Sequence, residues 1–265
     1  MQRRSTGWQR GITMSKTLYL ECYSGISGDM TVAALLDLGA DREVLKESLK
    51  SLPVGGFRTE ITRVKKSGLD ACDFSVILEQ DNHDHDMEYL HGSEKSYAGH
   101  HEHSHEVNHE HHHGHTHSHE HPHEHRGMKE ITEIIQKSEM TARAKKMAMR
   151  VFGILAQAES KAHGVPVEEV HFHEVGAVDS IVDIAAIAIC MDNLDISNVI
   201  VPVLYEGTGF IRCQHGQIPV PVPAVTHIAE THKLKLKITD IQGELVTPTG
   251  AAVVAAFRTS DRLPE

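Results

Sequence analysis

The sequence is short of cysteine, of aromatic side chains and of long apolar runs. Its 265 residues include four cysteines, which lie far apart with no Cys-x-x-Cys pair. This spacing excludes a disulfide framework and fits a reducing cytosol, so we expect a cytoplasmic location. No apolar run approaches the roughly 20 residues that cross a bilayer, and residues 1–13 lack the apolar stretch of a secretory signal. We therefore expect no membrane partner.

Acidic residues outnumber basic residues. The chain has 26 Lys and Arg against 37 Asp and Glu, a net charge of −11, which argues against a nucleic-acid partner. Histidine is the abundant residue, because 17 of the 23 histidines lie between His83 and His125. Residues 81–126 also hold ten acidic residues and two basic ones, so most of the negative charge belongs to this segment.

The remaining sequence alternates between helical and strand-like patterns without an internal repeat. This predicts a mixed α/β (α+β) fold with a disordered His-rich insertion, since the insertion has too few aliphatic residues to offset its ordering entropy. Residues 1–13 are expected to be a disordered extension, with Met14 as an alternative start to Met1. The core is expected to comprise an N-terminal α/β part, residues 14–80, and the remainder, residues 127–265, on either side of the His-rich metal-binding segment, residues 81–126.

Local patterns predict the individual elements. Predicted helices cover residues 29–38, 41–52, 128–137, 141–163 and 178–194, with shorter ones near 223 and 249. Predicted strands cover residues 17–23, 58–65, 73–78, 199–207, 210–217 and 235–240. A turn at Ser67-Gly68 is expected to join the second and third strands.

The His-rich segment is the first candidate for chemistry. Neutral imidazole binds nickel, copper, zinc and cobalt, and affinity rises toward nickel and copper. A segment of this kind can store and deliver ions, although it could also be a solvated linker that binds metals incidentally. The candidate metal ligands are His100, His101, His103, His105, His109, His111, His112, His113, His115, His117, His119, His121, His123 and His125.

A second candidate is the motif at residues 170–183. His171, His173 and Glu174 precede a predicted helix, on which Asp179 and Asp183 are spaced i, i+4. Histidines that converge on paired carboxylates can form a metal site or a general acid/base site. Alternatively, Asp179 caps the helix and the histidines are structural.

The third candidate is the glycine-rich turn at residues 21–30, between a strand and a helix. Free backbone N–H groups at such a turn suit a phosphate or carboxylate, and the candidate cofactor-binding residues are Ser24, Gly25, Ser27, Gly28 and Asp29. The turn has no P-loop lysine, and Asp29 would repel an anion unless a cation intervened. Asp29 could instead be the helix N-cap.

Taken in order, these segments resemble one family. LYLECYSGISGDMTVAALLDLGA, the mid-chain His tract, HFHEVGAVDSIVDI and TPTGAA are similar to the LarC-type nickel insertion proteins. The resemblance implies a nickel chelatase of the lyase class, a CTP-dependent cyclometallase. Its substrate is pyridinium-3,5-bisthiocarboxylic acid mononucleotide, in which nickel(II) becomes bound to two thiocarboxylate sulfurs and a ring carbon. The product is the nickel-pincer cofactor of lactate racemase.

The resemblance also suggests roles for the candidate residues. Forming a carbon–nickel bond requires loss of a ring proton, so His171, His173 or Glu174 could be the base, with Asp179 lining the same site. The substrate phosphate would suit the Ser24–Gly28 turn. One departure is Glu21-Cys22-Tyr23, where the family often has Asp-Cys-Phe.

The resemblance further implies that this chain is an N-terminal half. Family members continue into a second domain, to which CTP and its Mg or Mn ion are assigned. The expected partners are therefore the mononucleotide substrate, a C-terminal domain chain and other lactate racemase maturation proteins. The alternatives are a nickel store or metallochaperone without catalytic activity, and a zinc or cobalt protein.

Overall fold

The computed structural model describes residues 16–79, 126–172, 178–213 and 216–263. These residues form a mixed α/β fold, which confirms the predicted fold class. The predicted N-terminal extension lies outside the described residues, as does the His-rich insertion except for Arg126. No helix in the described ranges is long and apolar enough to cross a membrane.

The N-terminal part contains two helices and a long hairpin. In order it comprises β1 (Lys16–Tyr19), α1 (Gly28–Asp37), α2 (Arg42–Lys50), β2 (Phe57–Lys66) and β3 (Leu69–Leu78). Ser67 and Gly68 have φ angles of 50° and 82°, as a tight hairpin turn with two left-handed residues requires. The Asp37 carboxylate accepts a hydrogen bond from the Cys72 amide at 2.8 Å, which ties the hairpin to α1.

The second part begins at the end of the His-rich segment. Its elements are β4 (Arg126–Gly127), α3 (Met128–Lys137), α4 (Ala142–His163), a 3₁₀ turn (Val167–Glu169), β5 (His171–Phe172), α5 (Val178–Asn193), β6 (Ile196–Ile200), β7 (Leu204–Thr208), β8 (Phe210–Cys213), β9 (Gly216–Pro219), α6 (Pro223–His232), β10 (Leu236–Gln242) and α7 (Pro248–Phe257). Arg126 therefore starts a strand, whereas the sequence placed it at the end of the disordered segment.

Two strand predictions needed correction. The expected strand at 199–207 is divided into β6 and β7 around Pro202, a residue that lacks the amide proton for a ladder hydrogen bond. The expected strand at 210–217 is the hairpin of β8 and β9, in which Phe210 pairs with Pro219. Gly216, at the start of β9, has a φ of 91°, a conformation that glycine adopts without steric cost.

Short parallel pairs bring distant parts of the chain together. β1 pairs with β6, and β7 pairs with β10, both in parallel. Beyond β1, Cys22 bridges Leu204 and Ile26 bridges Val246. The segment from residue 16 to residue 26 thus runs first beside β6, then beside β7, and then beside the residues that precede α7.

The core is centred on α5. This helix is apolar on all sides, and its buried residues run almost without interruption from Ile181 to Met191. Such a helix must be surrounded by other elements, and α5 packs against α1, α2, α4 and β3. Consequently the N-terminus of α5, which carries Asp179 and Asp183, is held against the N-terminus of α1.

Candidate functional site at the starts of two helices

The glycine-rich turn before α1 is fixed by the residues that link β10 to α7. The Ile26 amide donates to the Leu245 carbonyl at 2.8 Å, and the Thr247 amide donates to the Ile26 carbonyl at 3.1 Å. Gly25 has a φ of 84°, and a Cβ atom there would lie 1.9 Å from the Leu245 carbonyl oxygen. The turn therefore depends on glycine at this position for its close approach to Leu245.

Ser27 is the N-cap of α1. Its hydroxyl accepts from the Met30 amide at 3.4 Å and donates to the Asp29 carboxylate. Asp29 is the second residue of the helix, so the alternative that Asp29 caps α1 is wrong. The alternative that Asp179 caps α5 is wrong for the same reason, because α5 begins at Val178.

The Asp183 carboxylate occupies the N-terminus of α1. The Asp29 amide donates a hydrogen bond to it. A Cβ atom on Gly28 would lie 2.5 Å from Asp183 Oδ2, so the absence of a side chain at residue 28 makes room for the carboxylate. The helix dipole favours a negative group at this position. Part of the anion-binding capacity expected of this turn is thus used by a carboxylate of the chain itself.

Three carboxylates meet around this point. Burial, followed by the negative charges of Asp29 and Asp179, raises the pKa of Asp183 well above its usual range, and the Asp29 amide opposes this rise only in part. The Oδ1 atoms of Asp179 and Asp183 are both shielded from solvent and have no hydrogen-bond partner among the described residues. A proton held by Asp183 would reduce the charge repulsion from Asp29 and Asp179. It would also lower the cost of leaving the Asp183 Oδ1 atom without a hydrogen-bond partner.

Glu206 is a further acid beside the glycine-rich turn. Its side chain is fully buried on β7, and Oε1 accepts from the amides of Gly207 at 2.7 Å, Leu245 at 2.8 Å and Val246 at 3.1 Å. Burial raises the pKa of Glu206, and these three hydrogen bonds counteract the rise. Glu206 thereby fixes Leu245 and Val246, the residues that hold Ile26.

The structure brings together some of the predicted residues. Asp29 and Asp179 lie near each other, and the turn of Ser24, Gly25, Ser27 and Gly28 is beside them. His173, Glu174 and all fourteen candidate histidines of the tract lie outside the described residues, and His171 is described only by its backbone. Their predicted roles stay predictions.

The site also contains residues that the predictions did not include. Asp183 was seen in the sequence as the i, i+4 neighbour of Asp179 but was not selected as a site residue. Glu206 was not singled out, although an acid inside the apolar run VIVPVLYEG is a recognisable signal. In the described part of the chain, no group of three or more His, Cys, Asp or Glu side chains is arranged to hold a metal ion.

The cysteines do not supply reactive thiolates to this site. Cys22 lies beside the turn, but it is buried, and burial raises the pKa of its thiol to about 11. Cys190 is in the middle of α5, where burial raises the pKa to about 12. Both thiols are therefore protonated near neutral pH, and Cys190 is a core residue.

The end of the His-rich segment is anchored beside the second motif. In the antiparallel pair of β4 and β5, Arg126 is opposite Phe172 and Gly127 is opposite His171. Arg126 directly follows His125 in the sequence, and Phe172 directly precedes His173. The two histidine-containing segments therefore meet at this strand pair.

The fold and site define a mixed α/β protein with a buried acid/base group where two helices begin. A family model described as nickel insertion protein matches residues 18–265, and the chain belongs to this family. Comparison with the solved structures returns no match.

Curated relatives carry names of the same kind. A pyridinium-3,5-bisthiocarboxylic acid mononucleotide nickel insertion protein of Alkaliphilus metalliredigens is 54% identical over 252 residues, which are 95% of this chain and 54% of the relative. A protein of the same name in Clostridium acetobutylicum is 44% identical over 91% of this chain and 55% of the relative. A putative nickel insertion protein of Geobacter sp. is 38% identical over 91% of this chain and 52% of the relative. The chain thus spans about half the length of these relatives.

Proposed function

We propose that the chain is the nickel-handling N-terminal half of a CTP-dependent cyclometallase of the lyase class. Its substrates are nickel(II) and pyridinium-3,5-bisthiocarboxylic acid mononucleotide, and its product is the nickel-pincer cofactor of lactate racemase. Family membership and the names of the relatives support the nickel insertion and the substrate. The chain covers about half of each relative, and we assign CTP, with its Mg or Mn ion, to the other half.

The observation that carries this proposal is the carboxylate group formed by Asp29, Asp179 and Asp183. When nickel replaces hydrogen on the pyridinium ring, the electron pair of the C–H bond forms the carbon–nickel bond and the proton must pass to a base. A carboxylate with a raised pKa is a better proton acceptor than an ordinary surface Asp. Asp183 in its deprotonated form meets this need, because its burial and its two acidic neighbours make its carboxylate more basic.

Nickel delivery depends on the His-rich segment in this proposal. The pairing of β4 with β5 attaches the end of that segment beside the residues that lead to His173 and Glu174. Ions bound by the tract would therefore be released at a high local concentration near α5, without diffusion from bulk solution. The same arrangement would keep weakly bound nickel available to a site that must accept it repeatedly.

The chain offers little that would bind a triphosphate. The sequence contains no G-x-x-x-x-G-K-[ST] motif, and its glycine-rich turn leads into Asp29. Two donors at that helix start are already used, since the Asp29 amide binds Asp183 and the Met30 amide binds Ser27. These features support the assignment of CTP to the other half of the protein.

The proposal is tested by reconstitution. Purified chain is incubated with nickel(II), the bisthiocarboxylate mononucleotide and CTP with Mg²⁺ or Mn²⁺, with and without the C-terminal half of the Alkaliphilus relative. We expect product, identified by its mass, only in the complete mixture. Product from the chain alone would overturn the division of labour. Nickel binding without product in the complete mixture would instead support a nickel store.

A further inference from the structure

The outer face of the parallel strands presents a row of two aromatic rings and one ammonium group. Cys22 bridges Leu204, and the Tyr205 amide donates to the Cys22 carbonyl at 3.2 Å. The neighbouring strand β10 places Lys237 opposite Tyr205. Lys237 and Tyr205 therefore lie side by side on two paired strands, and Tyr23, in the turn after the Cys22 bridge, lies next to Tyr205.

The contacts within this row are close. The rings of Tyr23 and Tyr205 have centroids 4.9 Å apart and an interplanar angle of 82°, an edge-to-face arrangement. Lys237 Nζ lies 4.7 Å from the centroid of the Tyr205 ring. The edge-to-face arrangement leaves the Tyr23 ring 57% exposed, which makes it one of the most exposed large side chains in the described part of the chain.

The two faces of these strands differ in their surroundings. Cys22 and Leu204 alternate with the tyrosines and are buried, with exposed fractions of 5% and 1%. Parallel strands are normally covered on both faces. On the outer face, within the described ranges, the Tyr23 ring and the Lys237 side chain remain accessible. The outer face is therefore available to bind a ligand or a partner.

The chemistry of the row favours a small aromatic cation that carries an anionic group. A cationic ring is attracted to the face of an exposed tyrosine. The exposed side chain of Lys237, whose ammonium group lies over the Tyr205 ring, can pair with an anionic group on the same ligand. Nearby charged residues, such as the exposed Glu21 before Tyr23, limit the apolar area around the row. This area is small for a protein interface.

We propose that Tyr23, Tyr205 and Lys237 form the binding site for the pyridinium mononucleotide substrate. The pyridinium ring stacks on Tyr23, while the phosphate or a thiocarboxylate pairs with Lys237. This proposal rests on the proposed function. It fits the position of Tyr23, which begins the turn that ends at Gly28, where the backbone contacts Asp183. The turn thus joins a ring-binding residue to the carboxylate group.

The experiment is isothermal titration calorimetry of the whole chain with nicotinate mononucleotide, a pyridinium carboxylate mononucleotide. Tyr23→Ala is expected to weaken binding about tenfold or more, because the pyridinium ring loses its stacking partner. Tyr23→Phe keeps the ring and is expected to stay within about twofold of the original affinity. Phe210→Ala is the matched control, because it removes a similarly exposed ring, 58% exposed, from β8.

Lys237→Gln tests the anionic contact. We expect this variant to weaken binding of nicotinate mononucleotide and to reduce its salt dependence, since one charge pair is lost. The corresponding riboside, which lacks the phosphate, distinguishes the two anions: if Lys237→Gln weakens the riboside equally, the lysine binds the carboxylate. Thermal melting of every variant checks that its fold is intact.

The outcomes separate this proposal from the proposed function. Absence of probe binding, or equal binding by Tyr23→Ala and the unaltered chain, overturns the site even if reconstituted insertion is normal. If Tyr23→Ala loses the probe while the unaltered chain never yields product, the site stands and the proposed function fails. Loss of binding to the C-terminal half, with probe binding unchanged, would show that the row docks a protein and would overturn the ligand site.

Discussion

Asp183 fills the space that a side chain at residue 28 would occupy, since its Oδ2 atom lies 2.5 Å from the position of a Cβ atom on Gly28. This contact joins α1 to α5 at the place where both helices begin. It also sets a carboxylate against the amide of Asp29 and close to the charges of Asp29 and Asp179.

Gly28→Ala is expected to destabilise the chain by about 2 kcal/mol or more, because the methyl group and the Asp183 carboxylate cannot occupy the same space. Gly153→Ala is the matched control. Gly153 lies within α4, and its Cβ atom would meet nothing within 4 Å, so alanine should be neutral or slightly stabilising. Urea denaturation of both variants measures the difference.

A double variant tests whether the clash is specific to Asp183. Asp183→Ala should restore most of the stability that Gly28→Ala removes, giving a coupling free energy of about 1 kcal/mol or more. Additive effects of the two substitutions would contradict the packing described here.

Asp183→Asn is expected to stabilise the chain near pH 7 and to lower nickel insertion about a hundredfold or more. Asparagine keeps the acceptor for the Asp29 amide and removes a charge that repels Asp29 and Asp179. We expect the free energy of unfolding to rise by about 1 to 3 kcal/mol, which is the usual cost of an unsatisfied buried polar group. Asp70→Asn, on the exposed hairpin, is the control and should change neither property by much. Denaturation and the reconstituted reaction measure the two effects.

The stability gain of Asp183→Asn should depend on pH. The folded chain holds the Asp183 proton more tightly than the unfolded chain, whose pKa is about 3.9. Stability from this group is therefore complete below the unfolded pKa and is lost as pH rises through the raised pKa of the folded state. The difference between the variant and the unaltered chain should grow from about pH 4 upward. A difference that shrinks with rising pH would show that the pKa of Asp183 is not raised in the folded chain.

Glu206→Ala is expected to destabilise the chain by about 3 kcal/mol, since three backbone amides lose their acceptor at about 1 kcal/mol each. Glu206→Gln retains a carbonyl oxygen for these amides and should cost clearly less. Hydrogen exchange should show faster exchange at Leu245 and Val246 in the alanine variant. Unchanged exchange at these amides would contradict the positioning role of Glu206.

Deletion of residues 81–125 is expected to leave the fold intact and to remove several nickel ions per chain. The described structure ends its hairpin with the Glu79 amide bound to the Gly56 carbonyl and resumes at Arg126 in β4, and a Gly-Ser linker joins these two points in the variant. Thermal melting and equilibrium dialysis with nickel are the measurements. Loss of the cooperative transition would show that the segment belongs to the core.

The sequence was sufficient for most local structure. Apolar periodicity and turn residues predicted α1, α3, α4 and α5 to within about two residues, because helix ends here carry recognisable signals such as Thr141 at the start of α4 and Gly164 at its end. The hairpin of β2 and β3 was predicted from Ser67-Gly68 for the same reason. Strand boundaries around Pro202 and Gly216 were less accurate, since an extended apolar run does not reveal where pairing partners change.

The candidate site was predicted only in part. Motifs indicated the turn at 24–29 and Asp179 as separate candidates, and spacing related Asp183 to Asp179 within one helix. Nothing in the sequence related Asp183 to Gly28, or Tyr23 to Tyr205 and Lys237, because these contacts join residues far apart in the chain.

The sequence by itself determined the mixed α/β class, the helices, the His-rich segment and the family resemblance, all of which depend on composition and on neighbours within a few residues. The tertiary structure alone decided that α5 starts against α1, that Asp183 takes the place of a side chain at Gly28, and that Glu206 binds the backbone beside Ile26. The physical reason is that pKa, burial and charge repulsion depend on distance in space, and packing of the core around α5 sets those distances.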